Sequence, residues 1–88
     1  MYRRRAWHGV PFFYFHLHND VDARDEEGKD FPDLDAARRF ALQQARFTLA
    51  ENIKDSGRLN LDHRIDIEDK QGNVLATVHF REAVAITG

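Results

Sequence analysis

The sequence contains no cysteine and only two prolines among its 88 residues. The absence of cysteine excludes a disulfide framework, a thiolate nucleophile and any cysteine-based zinc site. No apolar run approaches the roughly 20 residues that span a bilayer. The basic first residues are not followed by an apolar core of signal-peptide length. We therefore expect a cytoplasmic protein with no membrane partner.

Neither sign of charge dominates, because the net charge is -2 at pH 7. This balance is too near neutral to indicate a nucleic-acid partner. The charges are nevertheless unevenly placed: residues 3–5 are all arginine, whereas acidic residues concentrate between Asp20 and Asp35. Like-charge runs usually remain in solvent. We predict a flexible basic extension over residues 1–9 and, because 42% of the residues are hydrophobic, one folded domain over residues 10–86.

Residues 11–18 have the pattern of a β-strand with two unlike faces. Aromatic residues favour strands, and a period of two sorts the side chains onto opposite sides of the sheet. The expected core face is purely apolar and consists of Phe13, Phe15 and Leu17. The opposite face is aromatic and polar and consists of Phe12, Tyr14, His16 and His18. A short second strand is expected at residues 21–24, followed by a loop over residues 25–32.

A long amphipathic helix is predicted from Asp33 to about Ser56. Asp33 is a favourable N-cap, and Gly57 supplies the left-handed residue that commonly ends a helix. No proline or glycine lies between them. Apolar and small residues recur at three- and four-residue steps, which predicts a core-facing stripe. Its members are Leu34, Ala37, Ala41, Ala45, Thr48, Leu49 and Ile53.

Phe40 and Phe47 lie off that stripe, about 100–140° around the helix from its centre. Two interpretations are open. In the first, the core is wide, or one end of the chain covers both rings. In the second, the two rings belong to a ridge that binds a partner, since exposed paired phenylalanines lower solubility unless they are used.

Residues 63–69 and 74–80 read as a β-hairpin whose turn contains Gly72 and Asn73. One register places Ile65 and Ile67 on the face of Ala76, Val78 and Phe80, and a one-residue slip places them with Leu75, Thr77 and His79. The number of apolar side chains favours the first register. Together these elements predict an α+β domain of order β-β-α-β-β, with three or four antiparallel strands and the long helix packed on one face.

Two histidines provide the only spacing typical of a metal site. His16 and His18 project to the same side of one strand with Cα atoms about 6.5–7 Å apart. A third ligand would come from His79 or Asp20. The alternative is that these histidines simply pack on aromatic neighbours. No catalytic residues and no cofactor are predicted, because the sequence lacks a nucleophile beside a base and a glycine-rich phosphate loop.

Several short segments together resemble a family of short, uncharacterised bacterial proteins described as a domain of unknown function. They are the strand at residues 12–17, the Asp25-Glu26-Glu27-Gly28 loop, Pro32-Asp33-Leu34 with Ala37, residues 65–69, Gly72, and Phe80-Arg81. The resemblance implies an architecture and no reaction. It also implies that residues 1–9 are an extension, and that His18 and His79 are not family histidines, which argues against the metal site.

The expected function is that of a small non-enzymatic binding or regulatory module that acts through protein contacts. Its partner would be a second copy of itself, forming a homodimer, or another protein. The aromatic residues expected at the interface are Phe12, Tyr14, Phe40 and Phe47. The alternative is a protein that binds a metal or a small ligand through His16 and His18.

Overall fold

The computed structural model describes residues 11–19 and 22–88. Its elements are β1 (Phe12–His18), β2 (Lys29–Asp30), α1 (Leu34–Ser56), β3 (Arg64–Glu68), β4 (Val74–His79) and a 3-10 helix (Phe80–Ala83). The strands form an antiparallel sheet in the order β2-β1-β3-β4. The predicted α+β class and the β-β-α-β-β order are confirmed. The extension predicted over residues 1–9 lies outside the described residues.

The position of the second strand was predicted wrongly. β2 occupies Lys29–Asp30, within the segment expected to be a loop, and it pairs with the first residues of β1. In the segment predicted as a strand, Ala23 forms a single bridge with Leu17, exchanging two hydrogen bonds of 2.9 Å. The chain therefore lies beside β1 at Ala23 and again at β2. Between these two contacts it turns away from β1, because the side chain of Asp25 occupies the gap.

Both ends of α1 have the caps that the sequence predicts. The Asp33 carboxylate accepts a hydrogen bond of 2.8 Å from the Ala36 N–H. Gly57 adopts φ 73°, and its N–H donates to the Ile53 carbonyl at 2.9 Å. An N-cap of this kind stabilises a helix by about 1 kcal/mol. The bounds of the helix therefore follow from local sequence alone.

The face of α1 that packs on the sheet is lined mainly by small side chains. Its fully buried residues are Ala37, Ala41, Ala45 and Leu49. The prediction fails at Ile53, which is 49% exposed. A 23-residue helix is about 35 Å long, whereas a six-residue strand spans only about 20 Å. The last turns of the helix therefore extend beyond the sheet.

The β3–β4 hairpin has the register that places the isoleucines in the core. Ile65 lies opposite Val78, and Ile67 lies opposite Ala76. The register shifts between Ile67 and Glu68, which marks a β-bulge at the start of β4. These residues pack with Phe80 beneath the alanines of α1, and burial of each large side chain stabilises the fold by about 1.5–3 kcal/mol.

Candidate functional site

The face of the sheet opposite α1 carries a polar network centred on Asp66. Its Oδ1 accepts from the Thr77 hydroxyl at 2.9 Å and lies 3.4 Å from the Arg64 Nε. Its Oδ2 lies 3.1 Å from the Nε2 of His18. Asp66 is only 8% exposed, so this carboxylate links β1, β3 and β4 through partners on all three strands.

His16 is held from two sides and is 3% exposed. Its Nδ1 accepts a hydrogen bond of 2.9 Å from the backbone N–H of Asp25. Its Nε2 lies 3.2 Å from Oε1 of Glu68. Because Nδ1 is an acceptor, the hydrogen-bond network assigns the ring proton of the neutral imidazole to Nε2, which donates to Glu68.

The Asp25 carboxylate fills the gap between the two contacts of the chain with β1. Its Oδ2 accepts from the Phe15 N–H at 3.1 Å, and its Oδ1 accepts from the N–H groups of Glu27 and Gly28, each at 3.1 Å. Partial burial raises the pKa of Asp25. The N–H groups of Gly28, Phe15 and Glu27, with a smaller effect of His16, outweigh it, so the net effect is a lowered pKa. The carboxylate thus replaces a backbone acceptor opposite Phe15.

Gly28 allows this loop to lie against the aromatic side chains of β1. It adopts φ 72°. An added Cβ would lie 2.8 Å from ring atoms of both Phe12 and Tyr14, and 3.1 Å from the carbonyl oxygen of Phe13. The two rings, with centroids 6.2 Å apart, therefore use part of their surface within the domain. Phe12 is 40% exposed and Tyr14 is half-buried.

The structure separates His79 from His16 and His18, the other two histidines proposed as metal ligands. The rings of His16 and His18 each contact a carboxylate of β3. His79 lies opposite Arg64, which in turn lies opposite His18, so an arginine stands between the two histidines. Within residues 11–19 and 22–88, no group of three or more metal-ligating side chains is arranged to hold an ion. The other suggested ligand, Asp20, lies outside the described residues.

The two off-stripe phenylalanines of α1 lie in different surroundings. Phe40 is half-buried, with its ring centroid 5.0 Å from that of Phe15 and 5.3 Å from that of Phe31. The Lys29 Nζ lies 5.6 Å from the Phe40 centroid. Phe47 is 64% exposed. The surroundings of Phe40 fit a wide core, whereas those of Phe47 fit a surface available to a partner.

A cleft of about 290 Å³ opens between α1 and the inner face of β1. The helix packs mainly over β3, β4 and the 3-10 helix, which leaves this part of the sheet less covered. The apolar wall of the cleft consists of Phe15, Leu17, Phe40 and Ile65, and its polar wall includes Gln44, Thr48 and Lys29. Sequence reasoning missed the cleft, because it depends on where the helix crosses the sheet.

The second feature that sequence reasoning missed is the outer edge of β4. In the described part of the chain, β4 is the last strand of the sheet and pairs only with β3. Val74 and Leu75, at its start, are 54% and 42% exposed. The sequence did contain a signal for this edge: β4 has no lysine, proline or acidic residue, whereas natural edge strands usually carry such residues.

Comparisons with known proteins give one match. The model of the family described as Domain of unknown function (DUF6894) matches residues 12–81. This range contains all of the short segments on which the resemblance to an uncharacterised family was based, and that resemblance is confirmed. No curated protein and no solved structure matches the chain. No helix in the described ranges has the length and apolar character needed to cross a membrane.

Proposed function

We propose a function from the geometry of the chain, because the chain belongs to the DUF6894 family and the family description assigns no activity. The proposed function is that of a small, cytoplasmic, non-enzymatic binding module that acts through protein contacts. The observation that carries the proposal is the outer edge of β4, where backbone hydrogen-bonding groups and exposed apolar side chains occur together.

The direction of the backbone groups over the regular part of β4 follows from one hydrogen bond. The Phe80 N–H donates to the His63 carbonyl at 2.9 Å, so the backbone of residue 80 points towards β3. Residues in an antiparallel strand point alternately to one neighbour and the other. Ala76 and Val78 therefore also point towards β3, and the N–H and C=O groups of Thr77 point outward. The bulge at Leu75 interrupts this alternation at the start of the strand.

The two edges of the sheet differ in how they are protected. β2 has two residues, both charged, and edges of this kind resist pairing with another chain. β4 has six residues without lysine, proline or an acidic side chain, and its bulge lies only at its start. A strand of this kind suits the addition of a partner strand, in which main-chain hydrogen bonds supply affinity and neighbouring side chains supply specificity.

The polar residues on the sheet face opposite α1 support a function in protein contact rather than in catalysis. His16, His18 and Asp66 are each engaged by other side or main chains of the domain. The alternative function, binding of a metal or small ligand through His16 and His18, rests on their spacing. Metal analysis of protein purified without a histidine tag tests it: a stoichiometric metal that disappears in His16→Ala would favour the alternative over our proposal.

A photo-crosslinking amino acid at position 75 tests the proposed function in the cells that express the protein. Leu75 lies at the edge and is partly exposed, so irradiation should give a discrete adduct. The matched control is the same amino acid at Asp55, an exposed position in the last turn of α1. Absence of an adduct at position 75, or the same adducts at both positions, would overturn the assignment of function to β4.

A further inference from the structure

We infer that the cleft between α1 and β1 binds a small organic ammonium ion, a cation whose charge is attached to a compact apolar body. This site goes beyond the proposed function, because β3 separates β1 from the β4 edge. It is also distinct from His16 and His18, whose side chains lie on the other face of β1 from Phe15 and Leu17.

The size and the apolar wall of the cleft are those of a site for a small ligand. Its volume of about 290 Å³ lies at the lower limit of the roughly 300–1,000 Å³ that is typical of ligand pockets, so the ligand must be compact. Phe15, Leu17 and Phe40 are only half-buried, and their side chains leave apolar surface open to solvent in the cleft. Burial of that surface favours a ligand with an apolar body.

The helical wall of the cleft is one row of side chains. Phe40, Gln44 and Thr48 line the cleft and are spaced four residues apart, which places them on the same flank of α1. The row begins with an aromatic ring and continues with an amide and a hydroxyl, each of which has an oxygen that accepts a hydrogen bond. This wall therefore offers acceptors for a ligand N–H beside an apolar surface.

The charges at the cleft favour a cation. Two carboxylates, those of Asp25 and Glu27, line it together with one ammonium group, that of Lys29. The pKa of Asp25 is lowered, so its carboxylate is ionised at neutral pH. Asp25 is held by three backbone N–H groups, whereas Glu27 is exposed and belongs to none of the ion pairs among the described residues. Glu27 is therefore the expected counter-ion of a bound ammonium.

Phe40 already has a cation beside its ring. The Lys29 Nζ lies 5.6 Å from the ring centroid, within the roughly 6 Å of a cation–π contact. Lys29 is exposed and has a flexible four-carbon stem, so it can turn to solvent when a ligand ammonium takes its place. Across the described ranges no group of side chains is arranged to hold a metal ion. The cation that suits this cleft therefore carries apolar groups of its own.

Three probes of similar shape test the class of ligand. They are 2-phenylethylammonium, 2-phenylethanol and 3-phenylpropionate, which join one ring and a short chain to a positive, a neutral and a negative group. In methyl NMR of the full-length chain, we expect the ammonium to shift Leu17 and Ile65 saturably, the alcohol to bind more weakly and the carboxylate most weakly. Absence of saturable shifts with the ammonium, or equal or tighter binding of either other probe, would overturn the inference.

Variants of the two exposed charges test the role of each. Glu27→Gln should weaken binding of 2-phenylethylammonium about two- to five-fold, as expected for an exposed ion pair. Lys29→Gln removes the competing ammonium and should tighten binding. The matched control is Glu26→Gln, at an exposed neighbouring position that does not line the cleft, and it should change the affinity less than Glu27→Gln. Equal affinities in the two glutamine variants of the loop, or weaker binding in Lys29→Gln, would refute the assignment.

Filling the cleft tests the location of the site. Thr48→Met adds volume to the helical wall and should abolish the saturable shifts. The matched control is Gln71→Met, at an exposed position in the β3–β4 turn, which should bind as wild type does. Urea unfolding checks that both variants are folded, and the exposed-charge variants test the inference independently of the stability of Thr48→Met. Unchanged binding in folded Thr48→Met would place the ligand elsewhere and overturn the inference.

Discussion

Replacing Asp25 by asparagine should loosen the loop between β1 and β2, because this carboxylate accepts from three backbone N–H groups. Asparagine can keep its oxygen towards Glu27 and Gly28, but its amino group then faces the Phe15 N–H, and two donors oppose each other. A hydrogen bond to a charged acceptor contributes about 1.5–3 kcal/mol. Since Asp25 is partly solvated, we expect a loss near the lower end, about 2 kcal/mol.

A loss of this size is large for a small domain. The free energy of unfolding of a chain of this length is expected to be about 4–13 kcal/mol, and a loss of 2 kcal/mol lowers Tm by about 8–16 °C. Urea unfolding monitored by circular dichroism measures the loss directly. The control is Glu26→Gln, which removes the same charge from an exposed neighbouring position in the loop. If the two variants are equally stable, the hydrogen bonds of Asp25 do not hold the loop.

The pH dependence of stability gives a second measure of the same contacts. The pKa of Asp25 in the folded state is lowered from its ordinary value of 3.8. Its contribution is therefore fully present above that value and is lost as the pH falls through the lower, folded-state pKa. Below about pH 4, wild type should lose stability more steeply than Asp25→Asn. Asp69, whose pKa is also lowered, by its bonds with Asn73, Gln71 and Gly72, keeps its effect in both proteins. Parallel acid limbs would refute the argument.

Three further predictions concern the loop, the histidine and the helix cap. Gly28→Ala should destabilise the protein by about 1 kcal/mol more than Gly72→Ala in urea unfolding. Both glycines have positive φ, and an alanine in that conformation costs about 1–2 kcal/mol at either position. Of these two positions, only Gly28 has close neighbours for the added Cβ. Equal losses would contradict the close approach. Nitrogen-15 NMR should show that the neutral imidazole of His16 carries its proton on Nε2. A proton on Nδ1 would contradict the hydrogen bond that Nδ1 accepts from the Asp25 N–H. Asp33→Ala should cost about 1 kcal/mol in urea unfolding, and no loss would mean that the cap contributes nothing.

The helix and the hairpin were predictable because their determinants are local. Asp33 and Gly57 cap the helix with their own side-chain and backbone conformations. The hairpin register follows from the number of apolar side chains on Ile65 and its neighbours. The second strand was not predictable in the same way. A carboxylate ten residues along the chain from Phe15 takes the place of a strand partner, and a period-two pattern in the sequence gives no sign of such a substitution.

The histidines show how far local geometry on one strand carries the prediction of a site. Spacing on one strand correctly placed His16 and His18 on the face opposite the helix, but it says nothing about what lies diagonally across on β3. The register supplies Glu68 to one ring and Asp66 to the other, so both imidazoles bind carboxylates of the same sheet.

The same dependence on register explains why the β4 edge was overlooked. Which side of a strand carries open backbone groups is fixed by the pairing of its other side, and here by the bond from Phe80 to His63. The side chain of Thr77 gave no signal of this in the sequence. Once the pairing with β3 is known, Thr77 has its N–H and C=O directed outward, whereas the His79 N–H bonds to Glu82. The proposed placement of function at this edge therefore follows from the sheet register and from no single motif.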